Sequence, residues 1–203
     1  MANSNIDIAN LALTYLGERP ISSLDGNDKT QTYCATNIAQ ARDEILSFHP
    51  WSFAVARKSM NVIADADNLT DYTYVYALPS DYLRVLGVYA GTATGSLVTA
   101  ETDWTELKYS ASYLIEEGQV YTDAASAWVH YIKKITDPNN FPPHVVDAIA
   151  ANLAKKIAFA LTQNAGLFAG MNQVYQANIS RAMMLDGQQQ VNTPSPPTTW
   201  EDI

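Results

Sequence analysis

The side chains that could carry out chemistry are scattered along this chain of 203 residues. Acid-base hydrolysis of a glycan needs two carboxylates at a suitable separation. Two groups are close enough in sequence to be considered, namely Glu101 with Asp103 and Glu106, and Glu116 with Glu117. In an acidic chain such clusters are usually solvated turns, and local spacing does not bring two carboxylates into one cleft. We therefore expect that the protein is not an enzyme.

Metal and nucleophile chemistry has equally little support. The three histidines, at positions 49, 130 and 144, are far apart, and none has a second histidine or a carboxylate at ligand-like spacing. Cys34 is the single cysteine, which excludes an internal disulfide and a cysteine-based metal site, and we expect it to be buried. The sequence also lacks a Walker loop, a dinucleotide fingerprint and a nucleophile elbow. No cofactor or metal is predicted.

The charge balance argues against tight nucleic-acid binding. The formal net charge is -9, and nucleic-acid affinity depends largely on clustered Lys and Arg. Arg57 and Lys58 are adjacent on a predicted strand, so they point to opposite faces and form no joint patch. Tyr72, Tyr74 and Tyr76 alternate onto one face, which we interpret as sheet packing rather than base stacking. An acidic protein could still surround DNA without gripping it.

Sequence patterns predict two helices at the start of the chain. Ser4 and Asp7 form a capping box for a helix over residues 5–16, and Asp28 begins a second helix. The second helix ends at His49, because Pro50 disfavours helical geometry in the residue before it. We assign Asp43 and Glu44 to its polar face, toward solvent or another subunit. Its apolar stripe comprises Cys34, Ile38, Ala41, Ile45 and Phe48.

Short segments rich in Tyr, Val, Thr and Trp follow, and they predict an antiparallel β insertion. Trp51 and Phe53 open its first strand. Glu117 and Gly118 lie between two strand-like runs and predict a tight hairpin. The predicted strands cover residues 52–57, 72–77, 84–90, 107–109, 113–116, 119–122 and 127–135.

Helical periodicity resumes near residue 138, and a third helix is predicted to begin at the prolines 142 and 143. Phe159 and Val145 lie off its apolar stripe, so we expect the β insertion or a neighbouring subunit to cover them. The glycines at 166 and 170 break the pattern before a last helix, which is predicted to end near Gly187.

The expected fold is α+β, with a bundle of about four helices (residues 1–50 and 138–187), a β-rich insertion (51–137) and an extended, flexible C-terminal arm (188–203). The arm is proline-rich and has no periodicity, which is typical of a segment that is either disordered or orders on a partner, and Trp200 and Ile203 favour the second interpretation. The residues of the predicted structural junction are His49, Pro50, Trp51 and Phe53. The candidate partner-binding residues of the arm are Pro194, Pro196, Pro197, Trp200 and Ile203.

Four stretches resemble, in the same order, the head-to-tail adaptor family of short-tailed bacteriophages, which includes the tail tubular protein A group and related tail accessory factors. HPWSFA and LPSDYLR are the most specific parts of this resemblance. The stretches are ALTYLGERPISSLD at 12–25, ARDEILSFHPWSFA at 41–54, YALPSDYLRVL at 76–86 and LAKKIAFALT at 153–162.

The resemblance implies a structural protein of the virion neck, assembled as a dodecameric ring between the portal and a downstream tail (nozzle or tubular) protein, with viral DNA passing through the lumen. It also implies that the second and fourth helices supply lateral contacts and that the C-terminal arm reaches toward the portal.

No signal segment or long apolar run is found, so synthesis in the host cytoplasm is expected. The alternatives are a virion-associated peptidoglycan or glycan hydrolase and a module that binds a host protein or glycan.

Overall fold

The computed structural model describes residues 4–63, 70–90 and 111–190. It has an α+β fold with four helices and two antiparallel sheets, as the sequence predicts. The helices are α1 (Asn5–Leu16), α2 (Lys29–Phe48), α3 (Pro143–Thr162) and α4 (Ala165–Gln190), with a 3-10 turn at Pro138–Asn140. The strands are β1 (Val55–Ser59), β2 (Asn61–Val62), β3 (Tyr74–Ala77), β4 (Tyr82–Ala90), β5 (Tyr113–Glu116), β6 (Gln119–Thr122) and β7 (Ala127–Lys133).

The chain divides into two compact units. A helical unit consists of Met1–Ile45 and Pro138–Ile203, and a β unit consists of Leu46–Asp137. None of the described helices is long and apolar enough to cross a bilayer.

The helical unit is built around α3. This helix is buried on almost every side from Val145 to Ala158, because small alanines let neighbouring helices approach it closely. The capping box of α1 is present, since the Ser4 hydroxyl accepts from the Asp7 N–H and the Asp7 carboxylate accepts from the Ser4 N–H. Both ends of α1 are therefore determined locally, with Gly17 in the left-handed region at its C-terminus.

Two predictions for the last helix are wrong. The glycines at 166 and 170 do not break the pattern, because α4 begins at Ala165 and includes both. The helix also continues through Gln190 rather than ending near Gly187, so the first three residues of the predicted arm are helical. Glycine disfavours a helix by only about 1 kcal/mol, which packing against α3 can offset.

The β unit is a pair of antiparallel sheets. The first sheet has the order β1-β7-β4 and the second has the order β2-β3-β6-β5. Side chains from both sheets form one core, and the inward alternate residues of β7 contribute to it. The core contains Met60, Tyr76, Val88, Val120, Ala127, Val129 and Tyr131.

Several strand limits differ from the prediction. The first strand begins at Val55 rather than at residue 52, and β7 ends at Lys133 rather than at residue 135. The two-residue strand β2 was not predicted, since it is too short to show a period. The predicted strand over 107–109 lies outside the described residues.

The hairpin prediction is confirmed, and the tyrosine prediction holds for Tyr74 and Tyr76 but not for Tyr72, because β3 begins at Tyr74 rather than at residue 72. Glu117 and Gly118 have φ values of 49° and 75°, the left-handed conformation that a two-residue hairpin turn requires at both positions. Tyr76 is 1% exposed within the core, which agrees with sheet packing rather than a stacking surface.

Candidate interaction surfaces

The predicted junction begins with a buried turn. The Trp51 carbonyl accepts from the N–H groups of Ala54 (2.9 Å) and Val55 (3.0 Å). This turn replaces the strand predicted to start at residue 52, so Trp51 and Phe53 precede the sheet rather than lie in it. A proline followed by aromatic residues is compatible with a strand or with a turn, and the two hydrogen bonds to the Trp51 carbonyl show that it is a turn.

Trp51 is the centre of an aromatic cluster. Its side chain is completely buried, with the His49 ring edge-on at 4.8 Å and the Phe53 ring tilted at 6.3 Å between centroids. Helix α2 stops at Phe48, two residues before Pro50, which agrees with the helix stop predicted at this proline. The apolar-stripe prediction is wrong for Phe48, which is 56% exposed, whereas the other four residues of the stripe are buried.

A polar cluster connects α2 to α3 inside the helical unit. The Asn152 amide group, on a fully buried side chain, donates to the Ala41 carbonyl and to the Glu44 carboxylate, each at 3.0 Å. Lys156 Nζ contacts the other oxygen of Glu44 at 2.6 Å. Glu44 is exposed, as expected of a face toward solvent, and its carboxylate is in addition bound to α3 of the same chain. Nothing in the local periodicity of α2 indicates this partner, which lies more than a hundred residues away.

The charges of this cluster perturb one another. Desolvation tends to raise the pKa of Glu44, but the hydrogen bonds from Lys156 and Asn152 and the nearby positive charges outweigh it and lower the pKa. Lys155, the neighbour of Lys156, places its Nζ 3.9 Å from the centre of the Tyr175 ring of α4. Desolvation lowers the pKa of Lys155, and the positive charge of Lys156 lowers it further. The negative charge of Glu44 acts in the opposite direction but does not outweigh these two effects. The cluster joins three helices, which is a structural role.

Large apolar side chains are exposed on the last two helices. Phe159 of α3 is 57% exposed, and Phe168 and Met184 of α4 are 46% and 58% exposed. Val145, the other residue predicted to lie off the stripe of α3, is completely buried. Phe159 and Phe168 flank the connection between α3 and α4, where Gln163 adopts the left-handed conformation that ends α3. Exposed aromatic residues of this size are typical of protein contact surfaces.

The residues considered for chemistry are not gathered into a metal site in the described part of the chain. No group of three or more His, Cys, Asp or Glu there could hold a metal ion. Glu116 and Glu117 are exposed at the hairpin turn. The other carboxylate group, Glu101 with Asp103 and Glu106, lies outside the described residues, as do the candidate arm residues Pro194, Pro196, Pro197, Trp200 and Ile203.

An open cavity of about 490 Å³ in the β unit contains two carboxylates, Asp71 and Asp123. Asp123 Oδ1 accepts from the N–H and the hydroxyl of Thr73, both at 3.0 Å, so this oxygen caps the start of β3. The remaining lining residues, Thr70, Tyr72 and Leu114, include no base or nucleophile matched to a carboxylate. The cavity is therefore a surface depression with a local structural role for Asp123.

Cys34 is buried as predicted, and its burial raises the pKa of the thiol to about 11. A thiol with this pKa is a poor nucleophile near neutral pH.

No protein-family model matches this chain, and no curated protein matches it.

Proposed function

We propose that this protein is a subunit of a bacteriophage head-to-tail adaptor, a closed ring that joins the portal to the tail and surrounds the DNA channel. The single observation that carries the proposal is the ordered set of four stretches that resemble this family. HPWSFA and LPSDYLR are the most specific of these stretches. Each has a defined structural role in the chain, which supports the proposal that both stretches serve the fold of an adaptor subunit.

HPWSFA, at residues 49–54, forms the turn between α2 and β1. Its proline stops the helix, its tryptophan is completely buried, and its last residue donates to the Trp51 carbonyl. The buried tryptophan therefore fixes the course of residues 49–54 within the β unit.

LPSDYLR, at residues 78–84, forms the corner between β3 and β4. The Asp81 carboxylate accepts from the Tyr131 hydroxyl at 3.1 Å and lies 3.9 Å from the Lys133 ammonium group. The Asp81 carbonyl accepts from the Lys134 N–H at 2.6 Å. One aspartate therefore anchors the corner to the end of β7.

The exposed apolar residues of the helical unit support assembly. Phe159, Phe168 and Met184 provide the kind of apolar surface that buries on contact with another subunit. In a closed ring, two different faces of each subunit meet, and α2 and α4 are the helices that the resemblance assigns to this contact. The net charge of -9 suits a ring that conducts DNA without holding it.

Imaging of the purified protein with the portal protein of the same virus tests the proposal. We expect closed rings by negative-stain microscopy, either free or only on the portal. The test variant is the double variant Phe159→Ser, Phe168→Ser, which should remain folded and form fewer rings than the wild type. A wild-type protein that stays monomeric both alone and with the portal would refute the proposal.

A further inference from the structure

The first sheet of the β unit is basic in an otherwise acidic chain. Its three strands contain the cations Arg57, Lys58, Arg84 and Lys133 and no Asp or Glu. Lys133 lies 3.9 Å from the Asp81 carboxylate, outside these strands. A positive sheet in a chain of net charge -9 is complementary to much of the chain's own surface.

Aromatic rings and an arginine share one side of this sheet. Arg57 is opposite His130 in the β1-β7 register, and Tyr89 is opposite Trp128 in the β4-β7 register. The Tyr89 and Trp128 rings stack with centroids 4.4 Å apart and planes 13° apart. Gly87 makes room for this stack, because a Cβ there would lie 3.1 Å from Tyr89 Cε2. We call Arg57, Tyr89, Trp128 and His130 the arginine–aromatic face.

This face is on the side of the sheet opposite to the core. Val129 and Tyr131 alternate with Trp128 and His130 along β7, and it is Val129 and Tyr131 that belong to the core. Arg57 is exposed, and the three rings are half-buried. Tryptophan, tyrosine and arginine are the residue types most enriched at the energetic centres of protein interfaces.

A complementary surface is found on the other sheet of the same unit. Leu114 (37% exposed) and the exposed Glu116 lie on the same side of β5, and the exposed Glu117 follows at the turn. Ile115 (38% exposed) points to the other side, because its register partner Val120 is a core residue. Strand β5 is at the edge of the second sheet. The hairpin therefore combines apolar area for aromatic rings with negative charge for an arginine.

We propose that the β5-β6 hairpin of one copy docks on the arginine–aromatic face of the next copy, with Glu117 beside Arg57. The hairpin cannot reach the face of its own copy, because its sheet packs against the opposite side of the first sheet. The contact is thus heterologous and joins copies head to tail, as a ring requires. This inference rests on the proposed ring function and names a pair of surfaces that would close it.

Exchange of the paired charges tests the contact. Arg57→Glu and Glu117→Arg should each weaken ring assembly at least about tenfold, because each juxtaposes like charges at every subunit contact. An equal mixture of the two variants should recover assembly, since each contact then pairs one acid with one base in an alternating ring. Mass photometry, with the portal present if wild-type rings require it, measures the fraction of protein in rings.

Lys58→Glu is the matched control. Lys58 is adjacent to Arg57 and also exposed, but its register partner is the core residue Val129, so it belongs to the other side of the sheet. This variant makes the same change in net charge and should assemble as the wild type does.

Two results would overturn the proposed contact while leaving the ring function intact. One is wild-type-like assembly of Arg57→Glu, including the case in which rings form but no longer attach to the portal. The other is equal loss of assembly in Arg57→Glu and Lys58→Glu without recovery in the mixture. Failure of the wild-type protein itself to form rings would instead refute the proposed function.

Discussion

Replacement of Trp51 by alanine should destabilise the protein more than any other single truncation at the junction. Trp51 is completely buried and has aromatic neighbours on two sides at 4.8 Å and 6.3 Å. A buried tryptophan removes about 200 Å² from water, which at about 25 cal/mol per Å² corresponds to about 5 kcal/mol. Measured truncations of large buried aromatic residues cost about 3–5 kcal/mol, so we expect a loss in that range.

Urea denaturation followed by circular dichroism measures this loss of free energy of unfolding. In a thermal scan, the melting temperature should fall by about 6–20 °C, given about 2–4 °C per kcal/mol for a chain of this size. Trp51→Phe keeps a ring in the cavity and should cost less than the alanine variant. Phe48→Ala is the matched control, because Phe48 is three residues away and 56% exposed, and its effect should be within about 0.5 kcal/mol. A Trp51→Ala variant as stable as Phe48→Ala would refute the argument that this junction is firmly packed.

Three further predictions concern the helical unit. The pKa of Glu44 is lower in the folded protein, so its stabilising contribution is complete above the unfolded pKa and is lost as pH falls through the folded pKa. The stability difference between the wild type and Glu44→Gln, measured by urea titrations at several pH values, should therefore shrink on acidification. A difference that stays constant with pH would contradict the pairing. Lys156→Met should cost about 1 kcal/mol or less, and this cost should largely disappear in the double variant with Glu44→Gln if the ion pair, rather than packing, is responsible. Cys34, with a pKa of about 11, should resist a thiol reagent at pH 8 until the protein unfolds, and rapid labelling of the native protein would contradict its burial.

Features determined by neighbouring residues were predictable from the sequence. The first helix has the predicted limits, because a capping box and a left-handed glycine act within a few residues of its ends. The β5-β6 hairpin also matches, since Glu117 and Gly118 leave room for only a two-residue turn. The α+β fold class follows from the change between helical and strand periods along the chain.

Features that depend on distant partners were not predictable. Glu44 looks like a surface residue of an amphipathic helix, and it is exposed, but only the arrival of Asn152 and Lys156 from α3 gives its carboxylate partners within the chain. The glycines at 166 and 170 look like helix breakers, but packing against α3 outweighs their low propensity.

The sequence by itself determined the caps of α1, the hairpin turn, the α+β class and the stop before Pro50, because each depends mainly on short-range sterics, hydrogen bonding and periodicity. Tertiary structure alone decided that Trp51 lies in a buried turn, that Phe48 and Phe159 are exposed, and that Arg57 shares a face with Tyr89 and Trp128. The shared face depends on strand order and register, which bring residues tens of positions apart to the same side of a sheet, and the exposure or burial of the other three depends on which elements pack against them. A one-residue shift of β1 would put Lys58 on the face that Arg57 now occupies.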